Sequence, residues 1–136
     1  MNYSVIINAV IERLDIQHLL DFGCGEDAPL KDELAPQKGF KYQAYDPKVE
    51  RFSEQPIPAE MVVVQGAQRF NVEQLLDEVE NLTEVIAFFS IEDDMEIWLP
   101  ALLERFTVQT VQRQSPTEFF VIAQNRNLGI GDDSPA

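Results

Sequence analysis

Cysteine is almost missing from this chain of 136 residues: Cys24 stands alone, so no internal disulfide can staple the fold. Histidine is as scarce, with His18 the only one, which removes any Cys/His set for zinc and any serine–histidine–aspartate triad. No Gly-rich loop ending in Lys and Ser or Thr is present to cradle a triphosphate. No apolar run reaches 18 residues, and no basic-then-apolar stretch opens the sequence, so the expectation is a soluble cytoplasmic protein without membrane contact. Positive charge is the other shortage. Ten Lys and Arg face 24 Asp and Glu, a net charge of -14.

That imbalance is uneven. Residues 1–70 carry 11 acids and 7 bases, whereas residues 71–136 carry 13 acids and 3 bases. Phosphate contacts require Lys and Arg to displace counterions, so direct nucleic-acid binding by the second half is disfavoured and a basic protein partner is the natural complement. The acidity also has a plain reading as a device that keeps molecules apart in solution.

With 45% hydrophobic residues, the chain can build one core, and a single domain over 1–125 is expected, followed by a mobile polar tail at 126–136. Tyr3, Ile6, Ile7, Val10 and Leu14 recur at helical spacing and predict an opening helix with one buried face. The run HLLDF (18–22) reads as a buried strand opening into a glycine turn at Gly23 and Gly25. Asp27 is placed to cap a short helix with Pro29 in its first turn, stopped by Pro36 and Gly39. The aromatic run FKYQAYDP (40–47) predicts a second strand.

Three prolines between 47 and 58 then exclude a long helix or central strand, while 13 residues of connection can span about 43 Å when extended. That suffices for a crossover but not for an added helix and strand. AEMVVVQ (59–65) predicts a third strand, and Asn71 with Gln74 forms a capping-box arrangement ahead of Val72, Leu75, Leu76, Val79 and Leu82 on one helical face. EVIAFFSI (84–91) is apolar throughout, as in a strand covered on both sides. Met95, Trp98, Leu99, Leu102, Leu103 and Phe106 continue at helical spacing, with Pro100 tolerable near a helix start and Trp98 read as core. Finally TVQTVQRQ (107–114) and TEFFVIAQ (117–124) meet across a short Ser115–Pro116 turn and predict an antiparallel hairpin.

Alternating strands and helices ending in a hairpin, with an acid before Gly-x-Gly after the first strand, resemble a class I S-adenosylmethionine-dependent methyltransferase. LLDFGCG, YDP, PAEMVVV, LTEVIAFFSI and WLPALLERFTVQTVQR, in that order, resemble a compact branch of that superfamily often encoded by phages and bacteria, over about residues 18–124. The resemblance implies a Rossmann-like, mostly parallel sheet in the superfamily order 2-1-4-5-7-6, reduced by loss of the third strand. It implies a cofactor side made of Asp21, Phe22, Gly23, Cys24, Gly25, Asp46 and Gln65. The glycines would let backbone N–H groups approach the methionine end, and Asp46 would accept from the ribose hydroxyls. Cys24 is expected to pack, since nothing near it in sequence would activate a thiolate.

The departures from that family pattern are as informative. Its third glycine falls at Asp27, whose charge near the expected methionine carboxylate would leave S-adenosylmethionine binding weak or lost. Where this branch continues Asp-x-x-Glu-His, the chain reads QGAQRF (65–70), with Arg69 and Phe70 at the Glu and His positions. The long acceptor-side loop is reduced to EDDME (92–96). The Asp/Asn-Pro-Pro-Tyr and Pro-Cys runs of base methyltransferases are absent, and His18 lies at the far end of the first strand from the cofactor turn. No metal and no catalytic residue is expected.

Three functions stay open. One is a non-catalytic protein that binds a basic protein partner, such as a viral inhibitor imitating nucleic-acid phosphates. Glu73, Asp77, Glu78 and Glu80 on one helix and Glu92, Asp93, Asp94 and Glu96 in the short loop would form its contact surface. Those acids can equally be a solvated helix face and favourable charges at a helix N-terminus. The second is an active methyltransferase on a small molecule or protein, because methyl transfer from a sulfonium needs mainly alignment with a nucleophile. The third is a structural or assembly subunit.

Overall fold

The computed structural model describes residues 2–34 and 39–126. The core is a six-stranded sheet in the order β2-β1-β3-β4-β6-β5, with helices on both faces. Its strands are β1 (His18–Phe22), β2 (Lys41–Tyr45), β3 (Ala59–Gln65), β4 (Thr83–Glu92), β5 (Phe106–Arg113) and β6 (Glu118–Asn125). β2, β1, β3 and β4 are mutually parallel; β6 runs antiparallel to β4 and β5 pairs antiparallel with β6. This is the expected mostly parallel Rossmann-like sheet with a closing hairpin, one strand short. Residues 46–58 join β2 to β3 with only a 3-10 turn at Glu50–Phe52, because prolines deny this stretch the ladder donors a strand needs.

Strand alternation divides the core into two clusters. Leu20 and Phe22 of β1, Val62 and Val64 of β3, and Ala87, Phe89 and Ile91 of β4 face α3 (Val72–Leu82) and α4 (Met95–Arg105). Leu19, Met61, Val63, Ile86 and Phe88 face α1 (Ser4–Leu14) and the single turn α2 (Leu30–Glu33). Six consecutive residues of β4, Ile86–Ile91, are buried, which is why the run carries no polar alternation in sequence.

The helices refine several expectations. In α1 the buried stripe is Tyr3, Ile7 and Ile11, while Leu14 is 43% exposed; the helix ends there on Asp15 in the left-handed conformation, so Leu14 has no layer left to cover. α2 begins after Pro29 with no side-chain cap. The cap expected from Asp27 is absent because Ala28 takes a positive φ of 43° and turns the chain between Asp27 and the helix. The stop expected at Pro36 lies outside the described residues. Asn71 caps α3 as expected, its side chain accepting from the Gln74 N–H at 3.1 Å. Pro100 sits inside α4, not near its start. The bond it removes would have gone to Glu96 in the exposed first turn, where water can replace it. Leu103, expected inward, is 51% exposed. Arg126, the first residue of the expected mobile tail, donates to the carbonyls of Leu103, Glu104 and Phe106 and places a cation at the end of α4; residues 127–136 lie outside the described residues.

Phe88 on β4 is fully buried, stacks on Phe120 of β6 at 5.6 Å and meets Tyr3 at 5.5 Å, tying the parallel and antiparallel parts of the sheet to the segment that starts α1. Replacing Phe88 by Ala is expected to destabilise the protein by about 3–5 kcal/mol, read from the midpoint of urea unfolding at unchanged slope.

Candidate functional site

The carboxyl ends of β1, β2, β3 and β4 all point the same way, and the chain reverses its direction of strand addition between β1 and β3. Open α/β sheets bind ligands in the crevice outside such a reversal. The glycine turn follows β1, Asp46 follows β2, the segment 65–70 follows β3, and the acidic loop follows β4, so the sequence-predicted residues are gathered on this one edge of the sheet.

Gly23 and Gly25 have φ of 79° and 80°, a conformation that side chains disfavour, which explains the two glycines in the turn. The turn's polar groups are already engaged. The N–H groups of Gly23 and Cys24 both donate to the Tyr45 carbonyl, at 2.7 and 3.2 Å. The Gly25 N–H donates to Asp46 Oδ2 at 3.0 Å, and the Lys48 N–H donates to Asp46 Oδ1 at 3.0 Å. Asp46, 5% exposed, therefore spends both oxygens on its own backbone. Asp21 is 2% exposed and accepts a hydrogen bond from the Tyr42 hydroxyl at 2.5 Å. Phe22 is buried beneath Tyr45 and Phe70.

Arg69 and Phe70 reach across from the end of β3 to this turn. Arg69 Nη2 donates to the Gly23 carbonyl at 3.0 Å and to the Gln65 carbonyl at 2.6 Å, bridging the carboxyl ends of β1 and β3. A Cβ at Gly23 would stand 2.8 Å from Phe70 Cζ, so the ring rests directly on the glycine backbone. The 3-10 turn Ala67–Arg69 that carries them is turned inward by Gly66, at φ 72°. Gln65, joined to Gly23 through Arg69, also lines a polar cleft with Tyr3, Ser90 and Glu118. A smaller cleft of about 230 Å3 lies beside the reversal, lined by Phe22, Tyr45, Pro47, Phe70 and Glu78 among others.

Electrostatics follow from burial. Burial is the main cause pushing the Asp21 carboxyl up to about 6, opposed by the Tyr42 hydrogen bond and the Arg69 charge and reinforced by Asp46. The Cys24 thiol is pushed up to about 11 by burial first and then by Asp21 and Asp46, so it is a packing residue and not a thiolate.

The expected partner-binding acids divide into engaged and unengaged groups. Arg105 of α4 gathers Glu73 at 2.7 Å, Glu80 at 3.3 Å and Asp77 from α3. Glu78 instead borders the aromatic cleft. In the loop after β4, Asp93 accepts from Trp98 Nε1 at 3.0 Å, which also holds its carboxyl below the ordinary value, and Asp94 caps α4 through the Glu96 N–H at 2.9 Å. Among the described residues, the carboxylates of Glu92 and Glu96 have no such duty.

Solved structures with this arrangement include S-adenosylmethionine-dependent methyltransferases. The chain shares the methyltransferase fold. A SAM-dependent methyltransferase from Aquifex aeolicus superposes with a TM-score of 0.59 at 14% identity, covering 86% of this chain and 88% of that one. The 16S rRNA methylase ArmA gives 0.61 at 13% identity, over 90% and 81%. The pyocyanin biosynthetic protein PhzM gives 0.62 at 11% identity, over 87% of this chain and 53% of its own. No family model and no curated protein sequence matches.

The groups that S-adenosylmethionine would use on the cofactor side are engaged within the chain. The carboxylate that would take its ribose and the Gly25 amide beside it bind each other, and Phe70 occupies the surface of Gly23. Among the described residues no group of three or more His, Cys, Asp and Glu could hold a metal ion, and no helix is long and apolar enough to cross a membrane.

Sequence reasoning noted Arg69 and Phe70 as replacements without giving them a place in the site, and it missed Tyr42. Parity along β2 puts Tyr42 on the same side as Asp21, but only the register that pairs Asp21 with Ala44 reveals it.

The raised Asp21 value has a definite sign. The folded protein holds this proton up to about pH 6 while the unfolded chain releases it near 3.8, so the stabilisation is complete below 3.8 and is lost as pH rises through 6. Asp21→Asn keeps an acceptor for Tyr42 and removes the titration. Urea unfolding from pH 4 to 7 is expected to show the parent losing up to about 3 kcal/mol relative to this variant. A pH-independent difference would mean that Asp21 titrates as an exposed carboxyl does.

Proposed function

We propose that this chain is a non-catalytic methyltransferase-fold protein that binds a basic protein partner through the acidic half of its surface. The observation that carries the first part is the closure of the crevice between β1 and β3: Arg69 bridges the two strand ends, Phe70 covers Gly23, and Asp46 binds the Gly25 amide. A ligand entering there would have to break these hydrogen bonds before making its own, and buried groups left unpaired cost about 1–3 kcal/mol each. The second part is supported by the surplus of ten negative charges in residues 71–136, which gives long-range attraction toward cationic surfaces. An inhibitor that imitates nucleic-acid phosphates toward a basic groove is the form of this function best matched to such a charge.

One observation favours a second reading, an active S-adenosylmethionine-dependent methyltransferase. Gly23, Gly25 and Asp46 remain in place, and the cleft of about 230 Å3 bordered by Phe22, Tyr45 and Phe70 offers aromatic faces beside the strand reversal. A nucleophilic acceptor needs little beyond proximity to a bound sulfonium, so missing bases do not by themselves prevent transfer.

Calorimetric titration with S-adenosylhomocysteine separates the two. The non-catalytic reading expects no saturable heat at millimolar ligand and no change in melting temperature. A micromolar site would instead stabilise the fold by roughly 2.7 kcal/mol at a hundredfold excess over its dissociation constant and raise the melting temperature by a few degrees. Saturable binding lost in Asp46→Ala, accompanied by transfer of labelled methyl to any acceptor, would replace the first reading with the second.

A further inference from the structure

A cleft of about 940 Å3 lies between α4, the loop after β4 and the tip of the β5–β6 hairpin. Its floor is apolar and comes from α4: Leu99, Pro100 and Leu103, the last with half its surface in water although it belongs to the helix's hydrophobic spacing. One rim carries Glu92 and Glu96, both exposed, with carboxylates that bond nothing among the described residues. The neighbouring Asp93 and Asp94 are committed to Trp98 and to the helix cap, so the rim that holds the free charges is itself fixed in place. Arg113 of β5 also borders the cleft, its guanidinium donating to the Pro116 carbonyl at 2.9 Å and meeting Met95 Sδ of α4 at 3.9 Å. The cleft thus joins an apolar floor to a rim on which four acids outnumber one arginine.

We propose that this cleft docks a cationic amphipathic segment of the basic partner. An apolar side chain of the segment rests on Leu99, Pro100 and Leu103 while its Lys or Arg residues face Glu92 and Glu96. The proposal rests on the reading above that the partner is basic, and it names the surface that meets it. Charge complementarity selects the occupant: the half of the chain that builds the cleft has 13 acids against 3 bases. An apolar floor rimmed by charge is the usual anatomy of a groove that accepts an amphipathic segment.

The test uses a peptide of about 18 residues that repeats Leu and Lys at helical spacing, long enough to form helix on binding, and a counterpart with Glu in place of Lys. Both are titrated into the 15N-labelled full chain, the E92K/E96K variant and the Leu103→Ser variant. These three positions are exposed, and unchanged melting temperatures check that the variants fold. The Lys peptide is expected to bind the parent, to move the amide resonances of Leu99, Leu103 and Thr117, and to weaken as salt is raised. E92K/E96K is expected to lower affinity roughly tenfold or more, Leu103→Ser severalfold, and the Glu peptide not to bind. Binding of the Lys peptide with affinity unchanged in both variants would overturn this cleft as the site while leaving the basic-partner reading in place. Failure of the Lys peptide to bind the parent at millimolar concentration would overturn both.

Discussion

Parallel pairing of β1 with β2 on one side and with β3 on the other is the constraint from which the rest of the molecule follows. It reverses the strand order beside β1 and brings the ends of β1, β2 and β3 to one edge. That is why the glycine turn, Asp46 and the Arg69–Phe70 pair meet although 46 residues separate Gly23 from Arg69. The pairing also buries the central strands on both faces, which explains their continuous apolar runs and the need for helices above and below.

Within that frame, the crevice of the fold is governed by hydrogen-bond satisfaction. In a nearly dry turn, each N–H and each carboxylate oxygen must find a partner, and here they find one another: Gly23 and Cys24 with Tyr45, Gly25 and Lys48 with Asp46, Tyr42 with Asp21. Arg69 supplies the last link by bonding the carbonyls of Gly23 and Gln65. Arg69 and Phe70 thus provide side chains of the right length and polarity to close the opening.

Charge is arranged by a similar economy. Arg105, largely buried between α3 and α4, holds three carboxylates of α3, and the two helices are joined through one cation. The N-terminal acids of α4 are consumed by its cap and by Trp98. After these internal uses the carboxylates of Glu92 and Glu96 meet no partner among the described residues and lie beside an apolar floor, so the surface charge has local shape and is more than a uniform coat.

Much of this was legible from residue order alone. HLLDFGCG announced a buried strand opening into a tight turn, AEMVVVQ and EVIAFFSI announced covered strands, and Asn71 with Gln74 marked a helix start, because period, propensity and capping are local properties. The class of fold and its missing strand follow from those elements and from the prolines at 47, 56 and 58. What only the tertiary structure decided were contacts between distant segments: the seating of Phe70 on Gly23, the turn of Asp46 toward Gly25, the capture of three acids by Arg105, and the exposure of Leu103. Each depends on strand register and on which face a neighbouring layer covers, and those distances come into being when the sheet assembles.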